Sequence, residues 1–141
     1  KKNNFKKSEN VLYILEPIRD VWDKKSDIKG EFQALDFFIK NLKLLNLTKK
    51  SNIILRTHPS EKQNKYNNWI KMNKGYSIKI SNLGTSLYDD IANADWVVGC
   101  NSYALVIALK AKIKVASTLP PHAPDCVLPF PNILKMKEKA I

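Results

Sequence analysis

A cation, an imidazole and a hydroxyl lie close together in the segment Arg56-Thr57-His58-Pro59-Ser60. In extended backbone Arg56 and His58 project to the same side, and Pro59 ends the extended stretch. Ser60 and Gln63 have the spacing of a capping box, which predicts a helix that begins near Ser60. A cation, an imidazole and a helix N-terminus together suit a phosphate or a carboxylate. The competing interpretation is that His58 caps a loop and Arg56 is a surface residue.

A second polar segment, Gly99-Cys100-Asn101-Ser102, follows the apolar run Trp96-Val97-Val98. Gly99 permits a tight turn or the close approach of a ligand. Asn101 and Ser102 are good helix caps and also good hydrogen-bond donors to phosphate. A simple helix cap is the alternative, but two polar strand-to-helix junctions that open onto one cleft favour a binding site.

The residues Gly84, Thr85 and Ser86 begin a helix between these two segments. Their hydroxyl groups either line the same cleft or cap the helix. Ser86 and Asp89 again have capping-box spacing. Asp89 and Asp90 do not form an acid/base pair, because consecutive helical residues point about 100° apart.

Metal and cofactor signals are weak. His122, Asp125 and Cys126 are three candidate metal ligands in a Pro-rich loop, with no second cluster. Cys100 and Cys126 fit buried thiols better than a disulfide framework. A Walker A sequence, a G-x-G-x-x-G fingerprint and a G-x-S-x-G elbow are all missing from the sequence. We therefore expect neither a metal nor a cofactor.

The elements that must position these residues alternate along the chain. Five short segments have strand composition: Val11–Leu15, Asn52–Leu55, Ser77–Ile80, Trp96–Gly99 and Lys114–Ser117. Helical apolar spacing lies between them, the clearest being a stripe from Phe32 to Leu45. This alternation predicts an α/β fold: a Rossmann-like, doubly wound, mostly parallel sheet of about five or six strands. Ligands of such sheets bind outside the carboxyl ends of the strands.

We expect residues 1–10 to be a basic arm or linker end and residues 11–141 to form one domain. The chain begins without Met and without an apolar leader, which favours a fragment or a processed chain of cytoplasmic location. No apolar run approaches the roughly 20 residues of a membrane-spanning helix.

The net charge of the 141-residue chain is +11, from 24 basic and 13 acidic residues. Arg19 and Arg56 are the only arginines, and Arg is the residue that reads bases and phosphates in bidentate fashion. Specific nucleic-acid binding is therefore disfavoured, and solvated lysine explains most of the charge. Attraction to an anionic membrane surface, such as the inner membrane, is a secondary expectation.

The order of these motifs resembles the C-terminal, donor-binding half of GT-B glycosyltransferases of bacterial surface polysaccharides. In that resemblance His58-Pro59 is the "HP" motif of bacterial sialyltransferases and polysialyltransferases. Asn101-Ser102, which follows Ala94-Asp95 and a strand, is the later "SS" or "ST" motif. Capsular Kdo transferases and CDP-glycerol glycerophosphotransferases have related patterns. The resemblance covers roughly residues 50–118, about half of the chain.

The resemblance implies a role for each matched residue. His58 would contact the phosphate of the donor nucleotide and stabilise or protonate the leaving CMP, as the catalytic residue of this half. Ser102 and Asn101 would donate hydrogen bonds to the same phosphate, beside Arg56. No metal is then required, since donors aimed at the departing phosphate stabilise the charge that develops there.

Two departures qualify the resemblance. Enzymes that use UDP- or GDP-sugars carry a Glu after this turn, where this chain has Val106-Ile107-Ala108, and that favours a CMP-sugar. The family's catalytic base lies in an N-terminal domain that binds the glycan acceptor, and Asp89-Asp90 does not match its motif. The alternatives are a non-enzymatic Rossmann-like module that binds an acidic partner and a sugar-nucleotide epimerase-like domain.

Overall fold

A computed structural model of the chain describes residues 9–18, 20–25 and 27–140. It contains six strands: β1 (Asn10–Ile14), β2 (Asn52–Arg56), β3 (Ser77–Ile80), β4 (Trp96–Gly99), β5 (Lys114–Ser117) and β6 (Leu134–Lys135). They form one sheet in the order β3-β2-β1-β4-β5-β6, with every neighbouring pair parallel. This is the strand order of a doubly wound α/β sheet, so the predicted Rossmann-like fold class is confirmed.

The helices between the strands are short. They are α1 (Gly30–Lys40), α2 (Asn67–Met72), α3 (Leu87–Ala92), α4 (Ala104–Lys110) and α5 (Met136–Lys139), with a 3₁₀ helix at Leu42–Leu45. The predicted stripe from Phe32 to Leu45 is therefore divided between an α-helix and a 3₁₀ helix. The division lies at Asn41, whose N–H bonds to the Phe38 carbonyl three residues earlier. The tighter bonding keeps Leu42 and Leu45 in the core.

The sheet is buried on both faces. Val11 and Tyr13 of β1 pack into the cluster that includes α1 and α2 residues. Leu12 and Ile14 pack into the cluster formed with α3 and α4. Burial on both faces explains why β1 is a continuous apolar run rather than an alternating one.

β2 and β3 lie on one side of β1, and β4, β5 and β6 lie on the other. The strand order therefore reverses between β1 and β4, which are adjacent and parallel. Gly99 ends β4 here, and a Cβ atom on it would lie 2.9 Å from the Ile14 carbonyl oxygen. The lack of a side chain at Gly99 therefore allows β4 to pack against β1, and its role in lining a ligand cleft stays a prediction. The crevice at this reversal is the usual ligand position in such sheets.

The predicted basic arm, residues 1–10, lies mostly outside the described residues. Asn10 already belongs to β1, where its N–H bonds to an Asp95 carboxylate oxygen at 2.8 Å. The described helices are all too short or too polar to cross a membrane.

Candidate functional site

The segment after β2 is a series of turns, because its polar side chains bond to nearby backbone. The Ser60 N–H donates to His58 Nδ1 at 3.1 Å, and the His58 N–H donates to Glu61 Oε1 at 2.9 Å. The predicted helix at Ser60 is wrong, since helix α2 begins at Asn67. Ser60 therefore offers no helix N-terminus for an anion, and its hydroxyl lies 2.7 Å from His58 Nδ1.

These bonds determine the tautomer of His58. Nδ1 accepts from a backbone N–H, so it carries no proton in this arrangement. The neutral ring then carries its proton on Nε2, which becomes a hydrogen-bond donor. Because His58 is exposed at the carboxyl edge of the sheet, that donor is accessible to a ligand.

A buried ionic network holds the His58 turn. Lys65 Nζ lies 2.6 Å from Glu31 Oε2 and 2.7 Å from Glu61 Oε2, and these carboxylate side chains are only 6% and 2% exposed. The Tyr66 hydroxyl also donates to Glu61, at 2.5 Å. The other Glu31 oxygen accepts the Ile18 N–H. One lysine therefore links the His58 turn to α1 and to the loop after β1.

Opposing effects set the pKa values of this network. Burial alone raises the pKa of Glu61, but the hydrogen bonds from Lys65, Tyr66 and the His58 amide outweigh it and lower that pKa. Burial alone lowers the pKa of Lys65, but Glu31 and Glu61 outweigh it and raise that pKa. Burial and the neighbouring Glu61 raise the pKa of the Tyr66 hydroxyl. These shifts favour a charged Glu61 and Lys65 beside a neutral Tyr66 at neutral pH.

Arg56 has a partner that its sequence context does not reveal. Its guanidinium lies 2.7 Å from Asp90 Oδ2 and donates to the Thr85 carbonyl at 2.9 Å. The same Asp90 oxygen accepts the Ser81 hydroxyl at 2.7 Å. Arg56 is thus first a link between β2 and α3, and its charge is partly neutralised. Asp90 Oδ2 thus accepts from both Arg56 and Ser81, which assigns this carboxylate a structural role.

The cavity beside His58 has a volume of about 320 Å³ and lies at the carboxyl ends of β2 and β3. Arg56, His58 and Pro59 line one side, as the sequence predicts for a binding segment. Ser81, Asn82 and Leu83 line the other side.

The predicted cleft residues Gly84, Thr85 and Ser86 do not line this cavity. Gly84 and Ser86 are exposed, and the Ser86 hydroxyl accepts the Asp89 N–H at 3.0 Å. Ser86 is therefore the N-cap of α3, as the capping-box spacing predicts. The residues of this loop that line the cavity, Ser81 to Leu83, come three positions earlier in the chain than the predicted ones.

In the segment after β4, Asn101 makes hydrogen bonds to two other loops. The Asn101 N–H donates to Glu16 Oε1 at 2.8 Å, and Asn101 Oδ1 accepts the Val127 N–H at 2.9 Å. Ser102 Oγ accepts the Ala104 N–H at 3.2 Å, which leaves its hydroxyl proton to donate elsewhere. The helix begins at Ala104, two residues later than predicted.

The two predicted segments share one edge of the sheet but do not line one cavity. β2 and β4 lie on either side of β1, so their ends are about 10 Å apart. Glu16, which follows β1, stands between them and accepts the Asn101 N–H. A phosphate is favoured near His58 and repelled near Glu16, whereas hydroxyl groups suit Glu16.

The first helix does not offer the phosphate site of a dinucleotide-binding fold. The Gly30 N–H donates to the Asp20 carbonyl at 2.8 Å, and the Glu31 carboxylate occupies the same helix end. A Cβ on Gly30 would lie 2.5 Å from the Ile18 side chain. The loop after β1 therefore covers the N-terminus of α1, in agreement with the missing glycine fingerprint.

The cysteines and the Pro-rich loop have structural contacts. Burial raises the pKa of Cys100 to about 12, and Cys126 is also buried. The exposed Asp125 pairs with Lys137 at 2.9 Å, and this bond lowers the pKa of Asp125. Within residues 9–18, 20–25 and 27–140, no three His, Cys, Asp or Glu side chains form a cluster that could hold a metal ion.

Three residues near the site were not assigned roles from sequence: Glu16, Lys65 and Ser81. Glu16 sits in the first residues after a central strand, which is a signal available from sequence. Ser81 directly follows β3 and carries the same signal, whereas Lys65 carries none, because it meets Glu31 only through the fold.

Comparison with known proteins identifies no relative of this chain. The chain matches no protein-family model, no curated protein and no solved structure. The fold and the contacts above therefore define the class, a doubly wound α/β sheet with a polar cavity at its carboxyl edge.

Proposed function

We propose that the carboxyl edge of this sheet binds a nucleotide-sugar. The chain is then the donor-binding part of a glycosyltransferase that builds bacterial surface polysaccharide or lipooligosaccharide. The observation that carries the proposal is the exposed His58, whose Nδ1 is occupied by the Ser60 N–H and whose Nε2 is left to donate. The strand order adds support, since sheets of this order bind nucleotides at their carboxyl edge.

The phosphate and the hydroxyl groups of a nucleotide-sugar have matching side chains. His58 donates from Nε2 to the phosphate and stabilises the charge that develops as the nucleotide leaves. The Ser102 hydroxyl, on the other side of β1, donates to a different part of the ligand. Glu16, between them, accepts hydroxyl groups of a sugar or ribose. Neither a metal nor a cofactor is invoked in this step.

A CMP-sugar is the preferred donor in this proposal. The support is the apolar stretch Val106-Ile107-Ala108, which stands where enzymes for UDP- and GDP-sugars carry a Glu. An apolar side chain there leaves no carboxylate to hold the ribose of those donors.

A second domain that carries the acceptor and the catalytic base completes the proposed enzyme. Large apolar side chains project from three loops at the carboxyl edge: Leu83 is 79% exposed, Tyr103 63% and Val127 75%. Exposed apolar residues grouped at one edge fit a surface that another domain covers. Asp90 pairs with Arg56, and the Asp89 N–H donates to the Ser86 cap of α3; acceptor activation is assigned to neither residue.

Calorimetric titration with CMP tests the proposal. The wild-type chain should bind CMP more tightly than UDP, and His58→Ala should lower the affinity about tenfold or more, the value of a hydrogen bond to a charged group. His122→Ala is the matched control, since His122 is exposed and lies outside the cavity. Tighter binding of UDP would favour an epimerase-like domain. No binding of either nucleotide at millimolar concentration would refute the proposal.

A further inference from the structure

The side of the sheet covered by α1 and α2 carries a groove with an apolar floor and basic rims. The groove has a volume of about 460 Å³, and Phe32, Trp69 and Met72 form its apolar part. Lys29 and Lys40 stand at its rims. They flank the two ends of α1, whose 11 residues span about 16 Å.

The basic surface continues beyond Lys40. A neighbouring groove is lined by Lys40, Lys43 and Lys49, and Lys49 Nζ lies 5.4 Å from the centre of the Tyr76 ring. We call Lys29, Lys40, Lys43, Lys49 and Met72 together the basic α1–α2 face. Its lysines are exposed, and Met72 is 82% exposed.

The carboxylates of this region do not neutralise those lysines. Residues 29–80 contain eleven basic and three acidic side chains. Glu31 and Glu61 are buried against Lys65, and Asp36 accepts the Trp69 indole N–H at 2.8 Å. Among the residues that the structure describes, the four lysines of the face form no ion pair. The two grooves are lined by four lysines and one carboxylate, Asp36, so the face keeps a net positive charge around an exposed apolar side chain.

We propose that the basic α1–α2 face docks on an anionic membrane surface. Charge complementarity carries the proposal, because separate lysines spread from the N-cap of α1 past the 3₁₀ helix match a diffuse negative surface. Lysine is a point charge without the bidentate geometry that arginine brings to one carboxylate or phosphate. Met72 can enter the interface while the long lysine side chains extend to the headgroups. This docking is independent of nucleotide binding, since the His58 cavity shares none of these residues.

An acidic protein partner is the competing occupant. An acidic protein would pair its carboxylates with a few clustered lysines. The lysines of this face are instead spread from Lys29 before α1 to Lys49 beyond the 3₁₀ helix. A second copy of this chain is disfavoured, since two faces of the same positive charge repel each other.

Vesicle co-sedimentation with the full chain tests the proposal. The wild type should bind vesicles of equal parts phosphatidylglycerol and phosphatidylcholine, and release them as salt is raised. The paired substitution Lys40→Glu and Lys43→Glu should weaken binding by about thirtyfold or more, because each lysine near an anionic surface contributes about 1 kcal/mol and each new carboxylate is repelled. Met72→Ser should weaken it about fivefold.

Matched controls separate this face from net charge alone. Lys110→Glu with Lys112→Glu changes the charge equally on the α4 side, and Lys110 lies in the last turn of its helix as Lys40 does. Tyr88→Ser is the control for Met72, as Tyr88 is 69% exposed on α3. Vesicle binding that is unchanged in the Lys110→Glu, Lys112→Glu variant supports the proposal. Equal losses for both pairs, or no vesicle binding by a wild type that binds an acidic polypeptide such as polyglutamate, would overturn it.

Discussion

Replacing Lys65 with Met removes the cation that both buried carboxylates contact. The side chains of Glu31 and Glu61 are 6% and 2% exposed, so water cannot solvate the charges that remain. Breaking a buried ion pair in this way costs about 3–5 kcal/mol. Lys65 itself is 27% exposed, which favours the lower end of that range. We expect a loss of about 3 kcal/mol, or roughly 10 °C in Tm for a chain of this size.

The pH dependence of this loss has a definite sign. The pKa of Glu61 is lowered in the folded chain, so its stabilisation is present above its unfolded value near 4.5 and is lost as pH falls through the folded value. The pKa of Lys65 is raised, so its stabilisation is lost only as pH rises above about 10.5. The difference between wild type and Lys65→Met should therefore be largest between about pH 5 and 10. It should shrink in acid, where the carboxylates of the variant become protonated.

Thermal unfolding followed by circular dichroism at several pH values measures this difference. Lys62→Met is the matched control, because Lys62 is exposed three residues earlier in the same turn region. We expect the control to remain within about 0.5 kcal/mol of wild type. A Lys65→Met variant as stable at pH 7 as the control would refute the view that this network holds the His58 turn.

Three further predictions concern the surrounding structure. Gly99→Ala should lower the free energy of unfolding by about 1–3 kcal/mol, because the new Cβ would lie 2.9 Å from the Ile14 carbonyl oxygen. Urea unfolding measures this loss, and a variant as stable as wild type would contradict it. Gly84→Ala, with open space around it, should be tolerated. Arg56→Gln should lower stability by about 1–2 kcal/mol by removing the Asp90 partner, and unchanged unfolding would show that the pair adds nothing. Cys100, whose pKa burial raises to about 12, should react with a disulfide reagent at pH 8 only on unfolding, and fast labelling of the native chain would argue against its burial.

The strands could be predicted from sequence because local composition determines them. The bounds of β3, β4 and β5 agree with the predicted Ser77–Ile80, Trp96–Gly99 and Lys114–Ser117. β2 ends one residue later than predicted, and β1 begins and ends one residue earlier than predicted. A short apolar run that is bounded by polar turns and alternates with helical segments is best assigned as a strand.

The start of α2 could not be predicted, since its signal was misleading. Ser60 and Gln63 have the spacing of a capping box, but Ser60 bonds to His58 instead. The His58 amide is taken by Glu61, so the turn satisfies its own backbone and no helix is needed there. Local side-chain bonds of this type compete directly with helix formation.

The ionic partners at the site depend on contacts between distant residues. Arg56 meets Asp90 and Lys65 meets Glu31 only after β2 and α1 have taken their places beside β1. A lysine-rich chain offers many equivalent pairings, and the sequence does not distinguish them. The residue types of the site were therefore predictable, whereas the division between structural and accessible groups required the fold.

Binding of a nucleotide phosphate at His58 is tested by an NMR titration of the ¹⁵N-labelled chain with CMP, which follows the His58 ring nitrogens and the backbone amides. We expect a large change at His58 Nε2, smaller changes near Ser81 and Ser102, and none at the opposite edge near Asn52 and Ser77. Unchanged His58 signals at millimolar CMP, or changes confined to the opposite edge, would contradict it.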